Sequence, residues 1–414
     1  MRAPRRRSHR RGGGGLARAL LFGLGLAVLV GLAGWGVVAL VQKSARFRTA
    51  ATAALPAQPV RPPAPRPGTP APPAPAALQK ALDDIAAQYG EKTGIAVEDV
   101  TIGWIASVGG QDWFPQQSVS KAWIAVGVMD AIDHGRLSLD TPVLMQKSDR
   151  SVFNQPLGHV VPDEGLPTTV ERLLRFALIE SDNSANDTLV RLAGLPVITQ
   201  TLAAKGITGI RLGSDERNLQ ASIAGLTWDP SFSDGGNFEA ARGRVPMPAR
   251  QQALDRYLTN PSDGATPVGT VTALARLQRG ELLSPASTAY LLSVLKAVRT
   301  GPNRLKGGLS DGWSAAHKTG TGPDLQGAAV GINDVGLLTA PDGHTYAVAV
   351  FIPRTRKPVR ERLAMIQAVS AATVAIWEGK TPDPAGAAAQ PAGKPVPVVA
   401  HKGRHAAAHG RRGK

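Results

Sequence analysis

A serine and a lysine, Ser118 and Lys121, stand three residues apart at the start of an apolar segment. The segment from Ala122 to Ile132 predicts a buried helix, and helical residues three apart share a face. The lysine amine is therefore expected beside the serine hydroxyl, a weak nucleophile that an adjacent base activates. Burial favours the neutral amine, which can accept a proton. The helix N-terminus would direct backbone N–H groups toward an oxyanion at Ser118.

The same spacing recurs at Ser293 and Lys296, within an apolar and polar pattern typical of an amphipathic surface helix. A Ser-x-x-Lys pair alone is therefore weak evidence for a catalytic site. The other motifs along the chain must decide which of the two pairs is functional.

Three polar stretches follow Ser118 in chain order: Ser181-Asp182-Asn183, Glu216 to Gln220, and Lys318-Thr319-Gly320. Taken singly, each has a structural explanation, as a helix N-cap, a solvated loop carboxylate and a turn. The ordered set is hard to obtain by chance, so the set favours a catalytic site around Ser118.

Positioning these residues requires a domain that alternates helices with strands. We predict helices over 78–89, 119–133, 169–179, 184–193, 269–278, 285–298 and 361–377, and an additional helix over 248–258. Strands are predicted over 94–97, 100–105, 327–332 and 346–352, and Lys318-Thr319-Gly320 is placed on another. Strands at both ends with helices between them predict an α+β domain whose ends meet on one sheet.

The ordered motifs resemble those of class A serine beta-lactamases, within the superfamily of penicillin-recognising serine enzymes. They are Phe114-Pro115-x-x-Ser118-x-x-Lys121, Ser181-Asp182-Asn183, Glu216-x-x-Leu219, His317-Lys318-Thr319-Gly320-Thr321, Gly280-Glu281-Leu282-Leu283-Ser284 and Asn333-Asp334-Val335-Gly336. The resemblance covers about residues 78–379. It implies a beta-lactamase/transpeptidase-like α+β fold, with an antiparallel sheet flanked by helices plus a helical subdomain.

The resemblance also implies residue roles. Ser118 would attack the lactam carbonyl, with Lys121 as base or proton relay. Ser181 would pass the proton to the lactam nitrogen, and Glu216 would activate the water that hydrolyses the acyl-enzyme. The predicted binding residues are Asn183, Gln220, Lys318, Thr319, Gly320, Thr321 and Arg304, with the backbone N–H groups of Ser118 and Thr321 as oxyanion hole. No cofactor and no metal is expected.

Three features depart from the family pattern. Gln220 stands where the family usually has an asparagine that holds the deacylating water. About 40 residues after Ala221 exceed what the family has there, and we expect them to extend the rim of the site and restrict large substrates. No arginine follows Lys318-Thr319-Gly320 closely, so Arg304 is the candidate for binding the substrate carboxylate.

The formal charge of +16 is confined to the ends of the chain. Ten of the 47 Lys and Arg residues lie in 1–48, two in 49–77 and seven in 380–414, which leaves 28 against 30 acidic residues in 78–379. The folded part therefore lacks the basic surface that nucleic-acid binding requires. The absence of cysteine excludes disulfides and thiol catalysis.

The flanking composition predicts a membrane-tethered enzyme. Residues 1–18 form a basic cytoplasmic arm, and 19–42 an apolar transmembrane signal-anchor helix, since about 20 apolar residues cross a bilayer. Residues 43–77 form a Pro/Ala-rich linker, 78–379 the catalytic domain and 380–414 a disordered basic tail. The expected location is the inner membrane with the domain in the periplasm or another extracytoplasmic space, and cleavage near Ala51 would give a secreted form. His401, His405 and His409 are spaced four residues apart, which could suggest a metal site. Because the basic tail is expected to be disordered, we do not assign them one.

Three functions stay open from the sequence alone. The first is a membrane-tethered beta-lactamase with a monomeric catalytic domain. The second is a penicillin-binding D-Ala-D-Ala carboxypeptidase or transpeptidase acting on cell-wall peptides, which would not need Glu216. The third is a non-catalytic penicillin sensor. Glu216 favours the first, and Gln220 leaves room for the others.

We predict that Ser118→Ala abolishes covalent labelling by a fluorescent penicillin while Ser293→Ala leaves it intact. Only Ser118 has the second and third motifs behind it in the expected order. Gel fluorescence after incubation of the two purified variants measures the difference, and labelling that survives Ser118→Ala would refute the assignment.

Overall fold

The computed structural model describes residues 71–383. The predicted arm, the predicted transmembrane helix, nearly all of the predicted linker and the tail beyond residue 383 lie outside this range. Within residues 71–383, no helix has both the length and the apolar character needed to cross a bilayer.

A six-stranded antiparallel sheet forms the centre of the domain. Its strands are β1 Gly94–Asp99, β2 Ile105–Val108, β7 Ser314–Gly320, β8 Asp324–Leu325, β9 Ala328–Thr339 and β10 Thr345–Thr355. They lie in the order β2-β1-β10-β9-β7, and β8 pairs with β9. The first strand pairs with the last, from Gly94 opposite Phe351 to Asp99 opposite Tyr346. The two ends of the domain therefore meet on one sheet, and the predicted α+β class is confirmed.

Two short antiparallel pairs complete the strands: β3 Phe114–Pro115 with β6 Gly264–Ala265, and β4 Pro142–Met145 with β5 Leu166–Thr169. The helices are α1 Ala76–Tyr89, α2 Ser120–Asp133, α3 Pro156–His159, α4 Val170–Ile179, α5 Asn183–Ala193, α6 Leu195–Ala204, α7 Glu216–Ile223, α8 Asn237–Arg244, α9 Met247–Thr259, α10 Pro267–Gln278, α11 Pro285–Lys296 and α12 Val359–Trp377.

Alternation of side chains along the strands separates two hydrophobic cores. Ile95 and Val97 of β1 pack with helices α1 and α12 on one face of the sheet. Ala96, between them, belongs to the larger core on the other face, which contains α2, α4, α5, α10 and α11. Helix α2, which follows Ser118, crosses this core with Trp123 fully buried. The helix that begins two residues after Ser118 is therefore held by packing on nearly every side.

Most predicted elements are confirmed, including the additional helix, which is α9 in the segment after Ala221. The predicted strand over 100–105 is wrong. The carboxylate of Asp99 accepts hydrogen bonds from the backbone N–H groups of Thr101 and Ile102, and Gly103 has a φ of 89°. These contacts close a turn, so the second strand begins only at Ile105.

A close backbone approach brings β7 against the segment that carries Ser118. A Cβ atom added to Gly320 would lie 2.3 Å from the carbonyl oxygen of Gln116. Asn333, which faces Gly320 across the sheet, donates its amide to the same oxygen at 3.0 Å. Glycine at the end of the Lys-Thr-Gly stretch therefore allows this strand and Ser118 to lie at one cleft.

Candidate active site

Ser118 lies in a short 3-10 helix, Gln117–Val119, that runs directly into α2. The pairing of β3 with β6 fixes the chain just before this turn. The side chain of Lys121 points back along the first turn of α2 and is almost completely buried. The predicted serine and lysine pair is thus held at the mouth of a cleft by the best-packed helix of the domain.

The ammonium group of Lys121 has three oxygen partners. Its Nζ lies 2.6 Å from Ser118 Oγ, 2.7 Å from Asn183 Oδ1 and 2.6 Å from Glu216 Oε1. The lysine and glutamate side chains are 0% and 3% exposed, so this is a buried ion pair. Three N–H donors and three acceptors match, which satisfies the buried charge.

Ser181 is placed by a strained turn between α4 and α5. Its φ of 59° lies in the left-handed region, which is rare for a non-glycine residue. Asp182 caps α5 by accepting the N–H of Ala185 at 2.8 Å, and Asn154 donates its amide to the Ser181 carbonyl at 3.1 Å. The resulting turn points the Ser181 hydroxyl toward Lys318, whose Nζ donates to it at 2.9 Å.

Glu216 is the first residue of α7, not a solvated loop residue. Asp187 of α5 accepts the Glu216 N–H at 2.7 Å, and Asp215 caps the helix through the N–H of Asn218 at 3.0 Å. Burial, with the neighbouring carboxylates of Asp215 and Glu216, raises the pKa of Asp187 to about 7. The start of α7 is therefore tied directly to the helix that carries Asn183.

The opposite end of the cleft is lined by hydroxyl groups and a guanidinium. Burial, then the charge of Lys121, lowers the pKa of Lys318 well below the usual lysine value. The hydroxyls of Thr319 and Thr300 lie 2.6 Å apart. Arg304 donates to the Gly320 carbonyl at 2.8 Å and to the Thr321 hydroxyl at 2.7 Å. Such a concentration of donors suits a carboxylate.

Gln220 follows Glu216 by one helical turn. Its Nε2 lies 2.9 Å from Gln117 Oε1 and 3.5 Å from Glu216 Oε2. The side chain therefore stands next to the glutamate oxygen that Lys121 does not use. A water at this position would contact both groups.

A cleft of about 370 Å³ brings most of the sequence-predicted residues together. It is lined by Ser118, Phe153, Asn154, Ser181, Asn183, Glu216, Gln220, Thr300, Gly301, Arg304, Thr319, Thr321, Gly322 and Pro323. Lys121 and Lys318 lie buried just beneath this surface. Sequence reasoning missed Phe153, Asn154 and Thr300, because no motif spacing marks them.

The second Ser-x-x-Lys pair, Ser293 and Lys296, does not line the cleft. Ser293 and Lys296 are exposed on α11, and the Ser293 hydroxyl donates to the Tyr290 carbonyl of its own helix at 2.7 Å. Among residues 71–383 no group of three or more His, Asp or Glu side chains is arranged to hold a metal ion. The three tail histidines lie outside the described range.

Ser118 is hydrogen-bonded to the buried Lys121, and a second serine, Ser181, is hydrogen-bonded to Lys318 on β7. This arrangement is typical of serine acyl-transfer enzymes of the penicillin-recognising type. Residues 77–377 match a model of the family described as the beta-lactamase enzyme family. The chain therefore belongs to the beta-lactamase enzyme family, in agreement with its resemblance to class A serine beta-lactamases.

Individual relatives are similar over the same region. Beta-lactamase VEB-1 of Pseudomonas aeruginosa is 27% identical over 246 residues, covering 59% of this chain and 71% of the relative. Extended-spectrum beta-lactamase PER-1 of the same organism is 26% identical over 292 residues, covering 66% and 83%. The crystal structure of a beta-lactamase from Chitinophaga pinensis superposes with a TM-score of 0.59 at 27% identity, covering 73% of this chain and 98% of that one.

The depressed pKa of Lys318 predicts how substrate binding depends on pH. The free enzyme loses this ammonium at a pH below that of an ordinary lysine. An anionic substrate restores the charge, so binding takes up a proton and KM should rise as pH increases through the depressed value. Steady-state kinetics with an anionic beta-lactam measure the effect. Lys318→Arg, which keeps its charge, should remove the rise, whereas a wild-type KM that stays constant up to about pH 10 would contradict it.

Proposed function

We propose that the chain is a serine beta-lactamase in which Ser118 attacks the lactam carbonyl and water then hydrolyses the resulting ester. The observation that carries this proposal is the buried contact of Lys121 with both Ser118 and Glu216, at 2.6 Å each. One ammonium thus joins the nucleophile of the first step to the general base of the second.

Acylation requires Lys121 to lose a proton before it can accept one. As an ammonium that donates to three oxygens, Lys121 cannot remove the proton of Ser118. Transfer of one proton to Glu216 Oε1 produces a neutral amine and a carboxylic acid, and the amine can then accept the Ser118 proton as its oxygen bonds to the carbonyl carbon. The predicted oxyanion donors are the backbone N–H groups of Ser118 and Thr321.

Ring opening requires a proton at the departing lactam nitrogen. Ser181 Oγ accepts from Lys318, so its own hydrogen is available to donate toward the cleft. The proton that Lys121 took from Ser118 then replaces the one that left Ser181, and Glu216 returns its proton to Lys121. Lys121 is therefore an ammonium and Glu216 a carboxylate again before water attacks. The substrate carboxylate would lie against Lys318, Thr319 and Arg304, which fixes the lactam over Ser118.

Deacylation distinguishes the beta-lactamase from the peptidase and the sensor. Glu216 is buried at the start of a capped helix and is held against Lys121, and its second oxygen faces Gln220. A glutamate so placed can take a proton from a water that attacks the acyl-enzyme and return it to Ser118. An acylation trap has no need of this arrangement, so Glu216 favours hydrolysis.

We predict that Glu216→Gln still acylates, more slowly than the wild type, and then stalls. A general base contributes roughly 10²–10⁴-fold, so turnover should fall by at least about a hundredfold. Intact-mass spectrometry should show the Ser118 adduct lasting far longer than in the wild type. Glu361→Gln, which removes an exposed carboxylate in the first turn of α12, is the matched control and should leave turnover and adduct lifetime unchanged. An adduct lifetime unchanged by Glu216→Gln would exclude this glutamate as the base.

We also propose that residues 19–42 anchor the enzyme in the inner membrane, with the catalytic domain in the periplasm or an equivalent extracytoplasmic space. The support is the sequence: 23 apolar residues from Ala19 to Val41 follow an arginine cluster, and positive charge stays cytoplasmic. A Pro/Ala-rich linker would hold the domain away from the bilayer.

A fusion after Gly379 tests this topology. Alkaline phosphatase, which is active only outside the cytoplasm, should be active there and should sediment with membranes. Replacement of Arg5, Arg6 and Arg7 by glutamate should reduce that activity, since the arginines set the orientation. Activity of a cytoplasm-specific reporter at the same position would contradict the proposal.

A further inference from the structure

Gln117, the residue directly before Ser118, has a backbone φ of 52° and a side chain confined to a narrow channel. A Cβ atom on Gly331 would lie 2.6 Å from Gln117 Cγ, and one on Gly322 would lie 3.0 Å from Gln117 Cδ. A left-handed conformation is unfavourable for glutamine, so it persists only where surrounding contacts hold it.

Those contacts form a series of hydrogen bonds from Gln220 to Asp263, in which each side chain donates to the next one. Gln220 Nε2 donates to Gln117 Oε1 at 2.9 Å, and Gln117 Nε2 donates to Tyr257 Oη at 2.6 Å. Tyr257 Oη donates to Asp263 Oδ2 at 3.1 Å. The same carboxylate oxygen accepts the backbone N–H of Gln117 at 2.7 Å. Bonds aligned in this way polarise and strengthen one another.

Tyr257 enters this series from α9, in the segment after Ala221 that is additional to the family pattern. It is buried, and with Leu254 it packs against Leu219 and Ile223 of α7. Among the described residues, none that lines the Ser118 cleft belongs to residues 222–262. Phe238, Arg242, Arg250 and Leu254 of this segment line a neighbouring pocket instead. The added segment therefore contacts Gln117 through a buried tyrosine and not through the cleft that Ser118 lines.

We propose that Tyr257 is a positioning residue for deacylation, acting on Gln220 through Gln117. The Gln220 amide nitrogen donates to Gln117 Oε1 and lies 3.5 Å from Glu216 Oε2, so the bond to Gln117 holds this amide where it would contact a water beside Glu216. The tyrosine hydroxyl fixes the Gln117 amide in the orientation that makes this possible. This inference rests on the proposed hydrolysis and adds a residue that touches neither substrate nor reacting atoms.

The test is Tyr257→Phe in the full chain, purified in detergent and assayed with benzylpenicillin. Loss of the hydroxyl leaves the Gln117 amide and Asp263 short of one partner in a buried site, which is expected to slow deacylation about tenfold. Acylation does not use Gln220, so kcat and KM should fall together while kcat/KM stays near the wild-type value. Intact mass should show more acyl-enzyme at steady state.

Tyr89→Phe is the matched control. The Tyr89 hydroxyl bonds Thr355 at 2.8 Å in the core between the sheet and α1, away from the cleft. Its removal should lower thermal stability to a similar extent and leave kcat and KM unchanged. A parallel kcat loss in Tyr89→Phe, or a fall in kcat/KM equal to that in kcat for Tyr257→Phe, would show a merely structural role and overturn the proposal.

A double variant gives a second, independent outcome. In a Gln220→Ala background the hydrogen bonds from Tyr257 and Gln117 no longer reach a side chain beside Glu216. Tyr257→Phe should therefore slow deacylation no further. A full additional tenfold loss would contradict the proposed route.

If Tyr257→Phe does not fold, Asp263→Asn tests the same series of hydrogen bonds at its other end. The neutral amide oxygen of asparagine is a weaker acceptor than a carboxylate oxygen, so kcat and KM should fall together, by a smaller factor than in Tyr257→Phe. A fall in kcat alone would count against the proposal. If the proposed function itself fails, the wild type forms no adduct that turns over, which none of these outcomes resembles.

Discussion

The site depends on one buried ammonium group, that of Lys121, and on the three oxygens that surround it. Removing an ammonium from water is costly unless nearby acceptors replace the lost solvent, and here Ser118, Asn183 and Glu216 do so at 2.6 to 2.7 Å. The three acceptors come from three elements: the turn before α2, the start of α5 and the start of α7. Packing of these three elements around Lys121 therefore brings together the groups that we propose for catalysis.

Backbone strain is concentrated in the same place. Gln117 and Ser181 both have positive φ angles, of 52° and 59°. Gln117 directly precedes Ser118, and Ser181 carries the second hydroxyl that we propose for catalysis. Neighbouring contacts hold both conformations: the Asp263 carboxylate on the Gln117 N–H and the Asn154 amide on the Ser181 carbonyl. Gly320 completes the arrangement by allowing β7 to approach Gln116. Such strain near a reacting centre is consistent with a geometry fixed before substrate arrives.

Sequence reasoning identified the residues that carry local signals and missed those that act at long range. Ser118 with Lys121 is marked by helical spacing, and Asp182 by its capping position, so the structure brings them where expected. The strand expected over 100–105 is wrong because one carboxylate, Asp99, closes a turn that apolar composition conceals. The sequence predicts that the segment after Ala221 extends the rim of the site. Its Tyr257 also contacts Gln117, 140 positions earlier in the chain, which no spacing pattern could reveal.

The most direct test of the account is a time course of the wild-type chain with benzylpenicillin, followed by intact-mass spectrometry under single-turnover conditions. If Lys121 links acylation to a Glu216-assisted deacylation, one adduct should form on Ser118 and then disappear, as hydrolysed penicillin appears in equal amount. An adduct that forms and persists while no hydrolysed penicillin accumulates would contradict the account, because it would describe a penicillin-binding protein or a sensor.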